Sequence, residues 1–236
     1  MLTLKLLALA IGPGIGIAVF IYIRDKYEKE PIGLCIKCFL LGMLSTLPAI
    51  LLERAGAELG FGISETSVIR TLVFAFLVVG LSEEFSKYAF LNWYAYPKKD
   101  FNEPFDGIVY AVMISMGFAT LENIMYVFSA ESVAESLNTA YVRMFTAVPL
   151  HATAGVIMGY FVGMSKFVDP VRRFGLKMMG LAAAVLFHGA YDFFLFVENI
   201  PGLFIGAFVS LIIAIWLSFK AIKAHQKNSP FKNDFD

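Results

Sequence analysis

The segment Gly80–Leu91, with the sequence GLSEEFSKYAFL, decides how the rest of this chain must fold. It lies inside an apolar run, Ser67–Tyr96, that is longer than the roughly 20 residues needed to cross a bilayer. Two adjacent carboxylates and a lysine, Glu83, Glu84 and Lys87, stand in the middle of that run. Each charged side chain at the centre of a spanning helix costs at least about 2.5 to 3.5 kcal/mol. Other parts of the chain must therefore supply polar partners at the same depth.

The composition indicates a membrane protein. Hydrophobic residues make up 58% of the 236 residues, and the mean hydropathy is +0.72. A soluble domain is typically about 45 to 50% apolar. The formal net charge is zero, so we expect no nucleic-acid partner.

The two cysteines, Cys35 and Cys38, form a C-x-x-C without two further ligands nearby, and we interpret them as apolar helix residues rather than a metal or redox site.

Seven hydrophobic runs predict an all-α, polytopic transmembrane helix bundle in a cell membrane. The first run is longer than the apolar core of a signal peptide, so we expect it to be a retained helix. Short connections predict one transmembrane domain, residues 1–224, and a short cytoplasmic tail, residues 225–236. The predicted spans are Leu2–Ile23, Ile32–Leu52, Ser67–Tyr96, Phe105–Phe128, Tyr141–Phe167, Gly175–Val197 and Gly202–Ala224.

The distribution of lysine and arginine predicts the orientation of the bundle. Most of these residues fall in the first, third and fifth connections and in the tail, whereas the opposite side carries Lys5, Arg54, Arg70 and Arg143. Positive charge is retained on the cytoplasmic side of a membrane. We therefore expect the amino end outside and the carboxyl end in the cytoplasm.

Four ionisable residues in different spans are predicted to lie at one depth. Counting 1.5 Å per residue from the helix ends puts Glu83, Glu84, His151 and His188 near the middle of the bilayer. The same count puts Glu122 somewhat nearer the outside. Helices that run in opposite directions thus bring their ionisable residues to a common level, which predicts a single polar site.

The neighbours of the two histidines favour a site between helices. His151 shares a helix face with Gly155 and Gly159, and such small residues let helix backbones approach closely. We expect His151 to point into a helix interface. His188 is followed at i+4 by Asp192, whose carboxylate can hold the second ring nitrogen and fix the tautomer.

These residue types suit hydrolysis of a peptide bond. Two histidines and a carboxylate form the ligand set of a hydrolytic zinc site, in which water takes the fourth position. A second carboxylate would act as general base and then donate the proton to the leaving amine. Lys87 follows Glu83 by four residues and Glu84 by three, so it can neutralise one of them. No G-x-S-x-G motif for a serine nucleophile is present.

Two other function classes fit some of the same residues. A proton-coupled transporter is the alternative, because midplane carboxylates and histidines also form proton relays. It predicts matching interrupted helices in two halves, and Gly12-Pro13-Gly14 has no such counterpart. A scaffold that only binds a membrane partner is the third class. Arg143 and Asp106, near span ends, are interpreted as anchors rather than catalysts.

Several segments together resemble the PrsW family of bacterial intramembrane proteases. They are EEFSK at 83–87, FATLEN at 118–123, His151 and HGAYD at 188–192, with a charged turn that ends in Glu30-Pro31. The resemblance spans about residues 20–195. It implies a metalloprotease of the bacterial cytoplasmic membrane that cleaves a single-pass membrane protein, such as an anti-sigma factor, and so starts a stress response.

The resemblance also implies a role for each matching residue. The catalytic set would be Glu83, Glu84, His151 and His188, with either glutamate as the carboxylate that activates water. The zinc ligands would be Glu122, His151 and His188. The supporting residues would be Lys87, Glu122, Asn123 and Asp192.

Three positions differ from the wider group that contains the CAAX prenyl endopeptidases and bacteriocin-processing enzymes. That group usually has arginine, histidine and asparagine where this chain has Lys87, Glu122 and Asp192. The differences argue against processing of prenylated proteins. They also leave two alternatives for catalysis, zinc-bound water or a metal-free glutamate and histidine pair.

Overall fold

The computed structural model describes residues 1–232, which form ten α-helices and no strand. Two stretches of π-helix, Phe74–Gly80 and Leu91–Ala95, lie directly before and after α5. The last four residues of the predicted tail, 233–236, lie outside the described residues. The α-helices are α1 (Leu2–Arg24), α2 (Ile32–Leu44), α3 (Thr46–Glu58), α4 (Val68–Val73), α5 (Leu81–Phe90), α6 (Pro104–Ser129), α7 (Val133–Phe145), α8 (Ala147–Ser165), α9 (Pro170–Phe196) and α10 (Ile205–Lys227).

The predicted all-α membrane bundle is confirmed. Within residues 1–232, six helical segments are long and apolar enough to cross a membrane, and they correspond to every predicted span except the third. The third is helical without a gap from Val68 to Ala95, but π-helical turns divide it into short α-helices. Such turns are rare and are often found at functional sites. The orientation and the division into a domain and a tail stay predictions, although α10 continues past residue 224 to Lys227.

Two of the predicted spans contain a break. The second is divided into α2 and α3 at Ser45, and the fifth into α7 and α8 at Thr146. A proline, Pro48 or Pro149, follows each break by three residues, and it has no N–H to bond the carbonyl four residues earlier. Beyond the first break α3 packs on α5, and before the second α7 packs on α6.

Glycines allow the two most buried helices, α6 and α8, to lie in backbone contact. A Cβ on Gly107 would lie 2.5 Å from the carbonyl oxygen of Gly159 and 2.5 Å from Cα of Gly163. A Cβ on Gly159 would in turn overlap the backbone at Gly107. This close approach agrees with the helix interface that the sequence predicts beside His151, whose side chain is buried.

Replacement of Gly159 by alanine should destabilise the bundle. The added methyl group meets backbone atoms that cannot rotate away, so α6 and α8 must separate, at a cost of about 1 to 3 kcal/mol. Thermal unfolding of the purified protein in detergent measures the loss. The control is Gly16→Ala in α1, where a Cβ meets nothing within 4 Å. Equal melting temperatures for the two variants would contradict this account of the packing.

A cluster of buried acidic residues closes the end of the bundle where α1 joins α2. The hydroxyl of Tyr110 donates a hydrogen bond to Glu30, and Oδ2 of Asp25 accepts one from the Glu30 N–H at 3.2 Å. Oδ2 of Asp106 accepts hydrogen bonds of 2.7 Å from the backbone N–H groups of Asn102 and Glu103, before α6. Burial raises the pKa of Asp25 to about 7, and burial together with nearby Asp106 raises the pKa of Glu30 to about 11. This acidic cluster is therefore largely uncharged below pH 7.

The stability of the protein should fall as the pH rises through about 7, because the fold favours the neutral form of Asp25. The contribution of that group is fully present below its unfolded pKa of 3.8 and is lost as the carboxyl ionises in the fold. Asp25→Asn, which cannot ionise, should show a smaller decline in melting temperature between pH 5 and 8. The control is Asp100→Asn on an exposed turn, which should keep the wild-type slope. An unchanged slope in Asp25→Asn would contradict the role of this carboxyl.

Candidate active site

Helix α5 turns Glu83, Glu84 and Lys87 into the bundle, and all three side chains are buried. The helix begins directly after the first π-helical stretch, where Gly80 lies against Gly189 of α9. A Cβ on Gly80 would be 3.2 Å from the backbone nitrogen of Gly189. This close contact brings the start of α5 next to the residue that precedes Gly189, which is His188.

The ammonium group of Lys87 lies at the centre of the site. Its Nζ donates to Oε1 of Glu84 at 2.7 Å and to Oε2 of Glu83 at 3.2 Å. It also lies 2.9 Å from Nδ1 of His151 and 4.0 Å from the ring centre of Phe118. Lys87 thus contacts both glutamates, where the sequence predicted that it would neutralise one of them.

His188 lies between carboxylates of α5 and α9. Its Nδ1 is 2.7 Å from Oε1 of Glu84, and its Nε2 is 3.3 Å from Oδ2 of Asp192 and 3.8 Å from Oε2 of Glu83. The predicted i+4 contact between His188 and Asp192 is thus present. If Glu84 accepts the Nδ1–H, the lone pair of the ring is on Nε2 and faces Glu83.

His151 is held from the other side by Glu122. Its Nε2 is 2.8 Å from Oε2 of Glu122, and its Nδ1 faces Lys87 and lies 3.9 Å from Oε2 of Glu83. With the proton on Nε2, the lone pair is on Nδ1. Nδ1 of His151 and Nε2 of His188 thus lie 3.9 and 3.8 Å from the same oxygen of Glu83, although Nδ1 also contacts Lys87 and Nε2 also contacts Asp192.

Arg143 belongs to the site, although the sequence indicated an anchor. Its Nη2 donates to Oε2 of Glu122 at 2.6 Å, and its Nε donates to Oδ1 of Asn123 at 2.6 Å. The Nδ2 of Asn123 donates to the carbonyl oxygen of Ala10 in α1 at 3.3 Å. The positive charge of Arg143 is the signal that could have placed it in the site, as a cationic partner for Glu122. To use this signal, one must know the direction of α7.

The polar side chains form one continuous chain of contacts across five helices. Its outer members are partly exposed, with side-chain exposures of 15% for Arg143 and 13% each for Glu122 and Asp192. Glu84, in contrast, is fully buried. The partly exposed side of the site is therefore the side of Glu122 and Asp192. The order of contacts is Arg143, Glu122, His151, Lys87, Glu84, His188 and Asp192.

Four residues of the site have the donor atoms to hold a metal ion. Glu83, Glu84, His151 and His188 each offer a donor atom, and the four atoms lie within 4.8 Å of one another. Two imidazoles with carboxylates are donors that zinc accepts. This is the only such group of histidine, cysteine and acidic residues within the described part of the chain. It does not include Glu122, which the sequence predicted as a ligand and which contacts His151 on the nitrogen that faces away from Glu83.

The chain is similar to known membrane proteases. The family described as PrsW family intramembrane metalloprotease matches residues 30–219. The chain is 35% identical to Protease PrsW of Geobacillus kaustophilus, covering 90% of this chain and 88% of the relative. It is 33% identical to Protease PrsW of Halalkalibacterium halodurans, covering 90% and 92%, and 33% identical to that of Bacillus subtilis, covering 80% and 82%. No solved structure matches the chain. This multi-pass membrane protein therefore belongs to the PrsW family of intramembrane metalloproteases.

Proposed function

We propose that this membrane protease hydrolyses a peptide bond of a single-pass membrane protein, with anti-sigma factors as the substrate class, at a zinc site. The observation that carries the proposal is the buried group of four donor atoms, within 4.8 Å of one another, at the centre of the bundle. An intramembrane ionisable group is by default functional, because burying it without a use is costly. The transporter and scaffold alternatives lose support, since the chain belongs to a protease family.

The proposed zinc ligands are His151, His188 and Glu83. Zinc, when bound, supplies a Lewis acid that polarises the scissile carbonyl and makes water more acidic. Hydrogen bonds to Glu122 and Glu84 hold the other nitrogen of each ring, and Nδ1 of His151 and Nε2 of His188 lie 3.9 and 3.8 Å from Oε2 of Glu83. Binding of zinc would displace the ammonium group of Lys87 from Nδ1 of His151. Our proposal thus replaces Glu122 by Glu83 as the carboxylate ligand, and gives Glu122 the role of fixing the tautomer of His151.

Glu84 is the proposed general base. Its Oε1 is bonded to Lys87 and His188, whereas its Oε2 is buried and has no hydrogen-bond partner among the described residues. A buried carboxylate oxygen without a donor is unfavourable, and a water molecule in the site would satisfy it. Glu84 can accept a proton from that water through Oε2 and donate it to the leaving amine. Lys87 holds the carboxylate in place through the other oxygen.

The proposed substrate reaches this site as an extended segment. Peptide bonds inside a helix are hydrogen-bonded and covered by side chains, so a spanning substrate must unwind near the scissile bond. Glu122 and Asp192 are partly exposed, and in our proposal water and substrate enter the site on their side. With the amino end outside, as the basic connections predict, this side faces away from the cytoplasm.

Neutral variants of the four central residues should test the mechanism. Glu83→Gln, Glu84→Gln, His151→Ala and His188→Ala should each lower cleavage of single-pass membrane proteins from the same genome by at least about 100-fold. Zinc content, measured on each purified protein, separates ligand from base. We expect zinc to be lost in the two histidine variants, reduced in Glu83→Gln and retained in Glu84→Gln.

The control for this series is Glu65→Gln, at an exposed position outside the site. It should cleave and bind zinc as the wild type does. Full cleavage by all four variants would contradict the proposed site. Loss of cleavage in the histidine variants of a wild type that binds no metal would favour the metal-free glutamate and histidine pair.

Substitution of Arg143 should test whether the orientation of Glu122 matters for activity. Arg143→Ala removes one donor from Glu122, which keeps only His151, and the donor to Oδ1 of Asn123, and we expect kcat/KM to fall by about 10- to 100-fold. Arg143→Lys keeps the charge but cannot bond both partners at once, so its activity should be intermediate. The control is Arg54→Ala, an exposed arginine of α3. Wild-type activity of Arg143→Ala, together with a lowered melting temperature, would show that Arg143 only stabilises the fold.

A further inference from the structure

Glu53 lies on the inward face of α3. Thr46, Ala49, Glu53 and Gly56 follow the i, i+3, i+7 and i+10 spacing of one helix face. Thr46 and Ala49 are buried, and a Cβ on Gly56 would lie 2.6 Å from Cγ1 of Val78. Glu53 stands between these packed positions and is itself half-buried. Its carboxylate is therefore directed toward the bundle and not toward lipid.

Glu53 lies on the helix that packs against α5, which carries Glu83, Glu84 and Lys87. Its carboxylate is close enough to interact electrostatically with Glu122, Lys87, His188 and Asp192. These four residues come from α5, α6 and α9, so α3 contributes a further wall to the site.

Glu53 differs from the other carboxylates of the site because it has no bonded partner. Each of the others contacts a cation or a histidine, as Glu122 does with Arg143 and Asp192 does with His188. Glu53 makes no hydrogen bond or ion pair with any residue in the range 1–232. The adjacent Arg54 is exposed and lies on a different face of the helix.

The cations of the site already have partners. The charge of Arg143 is already used by Glu122, and Lys87 is enclosed between Glu83 and Glu84. A cation brought by a substrate would therefore find an unpaired carboxyl group at Glu53, in a medium where an ion pair is stronger than in water.

We propose that Glu53 is a specificity-determining residue that binds a lysine or arginine of the substrate next to the scissile bond. This inference rests on the proposed function, since it assumes that a membrane protein is cleaved at this site. By binding this basic side chain, Glu53 would let the enzyme distinguish one anchored protein from another. Glu53 does not take part in bond breaking, so its effect should be on KM.

A charge-reversal experiment with the full-length protein in liposomes tests the proposal. The probes are three single-pass reporter proteins, identical except that the juxtamembrane segment on the open side of the enzyme carries lysine, glutamine or glutamate beside the cleaved bond. Wild type should cleave the lysine reporter about 10-fold more efficiently than the glutamine reporter, mainly through KM. Glu53→Gln should abolish this preference, and Glu53→Lys should prefer the glutamate reporter. Bound zinc should not change.

The matched control is Glu58→Gln, an exposed glutamate of the same helix, which should keep the wild-type preference. The proposal is overturned if Glu53→Gln keeps the preference for lysine. It is also overturned if that variant lowers kcat equally for all three reporters, because Glu53 would then act on the reacting atoms. If wild type cleaves none of the reporters nor any single-pass protein of the same genome, the proposed function itself fails. Glutamine has nearly the same volume as glutamate, so we expect Glu53→Gln to fold. The test can therefore be read from Glu53→Gln even if Glu53→Lys does not fold.

Discussion

The bundle depends on the compensation of charge around Lys87. An ammonium group and two carboxylates on one turn of α5 would be prohibitive in hydrocarbon, and their mutual attraction repays desolvation only with further hydrogen bonds. The neighbouring helices supply these bonds, through His151 of α8 at 2.9 Å from Lys87 and through His188 of α9 at 2.7 Å from Glu84. Each of these helices is thus held in a fixed rotation by a polar contact, which apolar side chains alone do not specify.

Hydrogen bonds of this length require helix backbones that approach closely, and small residues permit it. In α6 and α8 the approach is made at Gly107, Gly159 and Gly163, and between α5 and α9 at Gly80 and Gly189. Helix association within a membrane gains little from the hydrophobic effect, so backbone contact and polar bonds must stabilise the bundle together. Packing and chemistry therefore depend on the same geometry, since a separation of α5 from α9 would lengthen the contact between Glu84 and His188.

The sequence was sufficient to predict the class of the fold and the centre of the site, because an ionisable residue in a long apolar run is visible without knowledge of the neighbours. Depth alone predicts that Glu84, His151 and His188 lie at one level. Arg143 and Glu53, which the sequence does not assign to the site, lie on α7 and α3, next to the breaks at Thr146 and Ser45. When a predicted span is taken as one straight helix, a charged residue near its end is interpreted as an anchor at the membrane surface. Nor does spacing show which ring nitrogen of His151 faces Glu122, so the sequence cannot decide between Glu122 and Glu83 as the carboxylate ligand.

A protease in a membrane must exclude lipid from its charged groups and still admit water, and the two ends of this bundle divide these tasks. At the end where α1 joins α2, the acidic cluster around Asp25 and Glu30 is buried, and Asp106 caps the start of α6. At the opposite end, Glu122 and Asp192 retain partial exposure while Glu84 behind them has none. In the mechanism that we propose, Lys87 occupies one oxygen of Glu84 and leaves the other oxygen, which has no hydrogen-bond partner among the described residues, for the water that this carboxylate activates as general base.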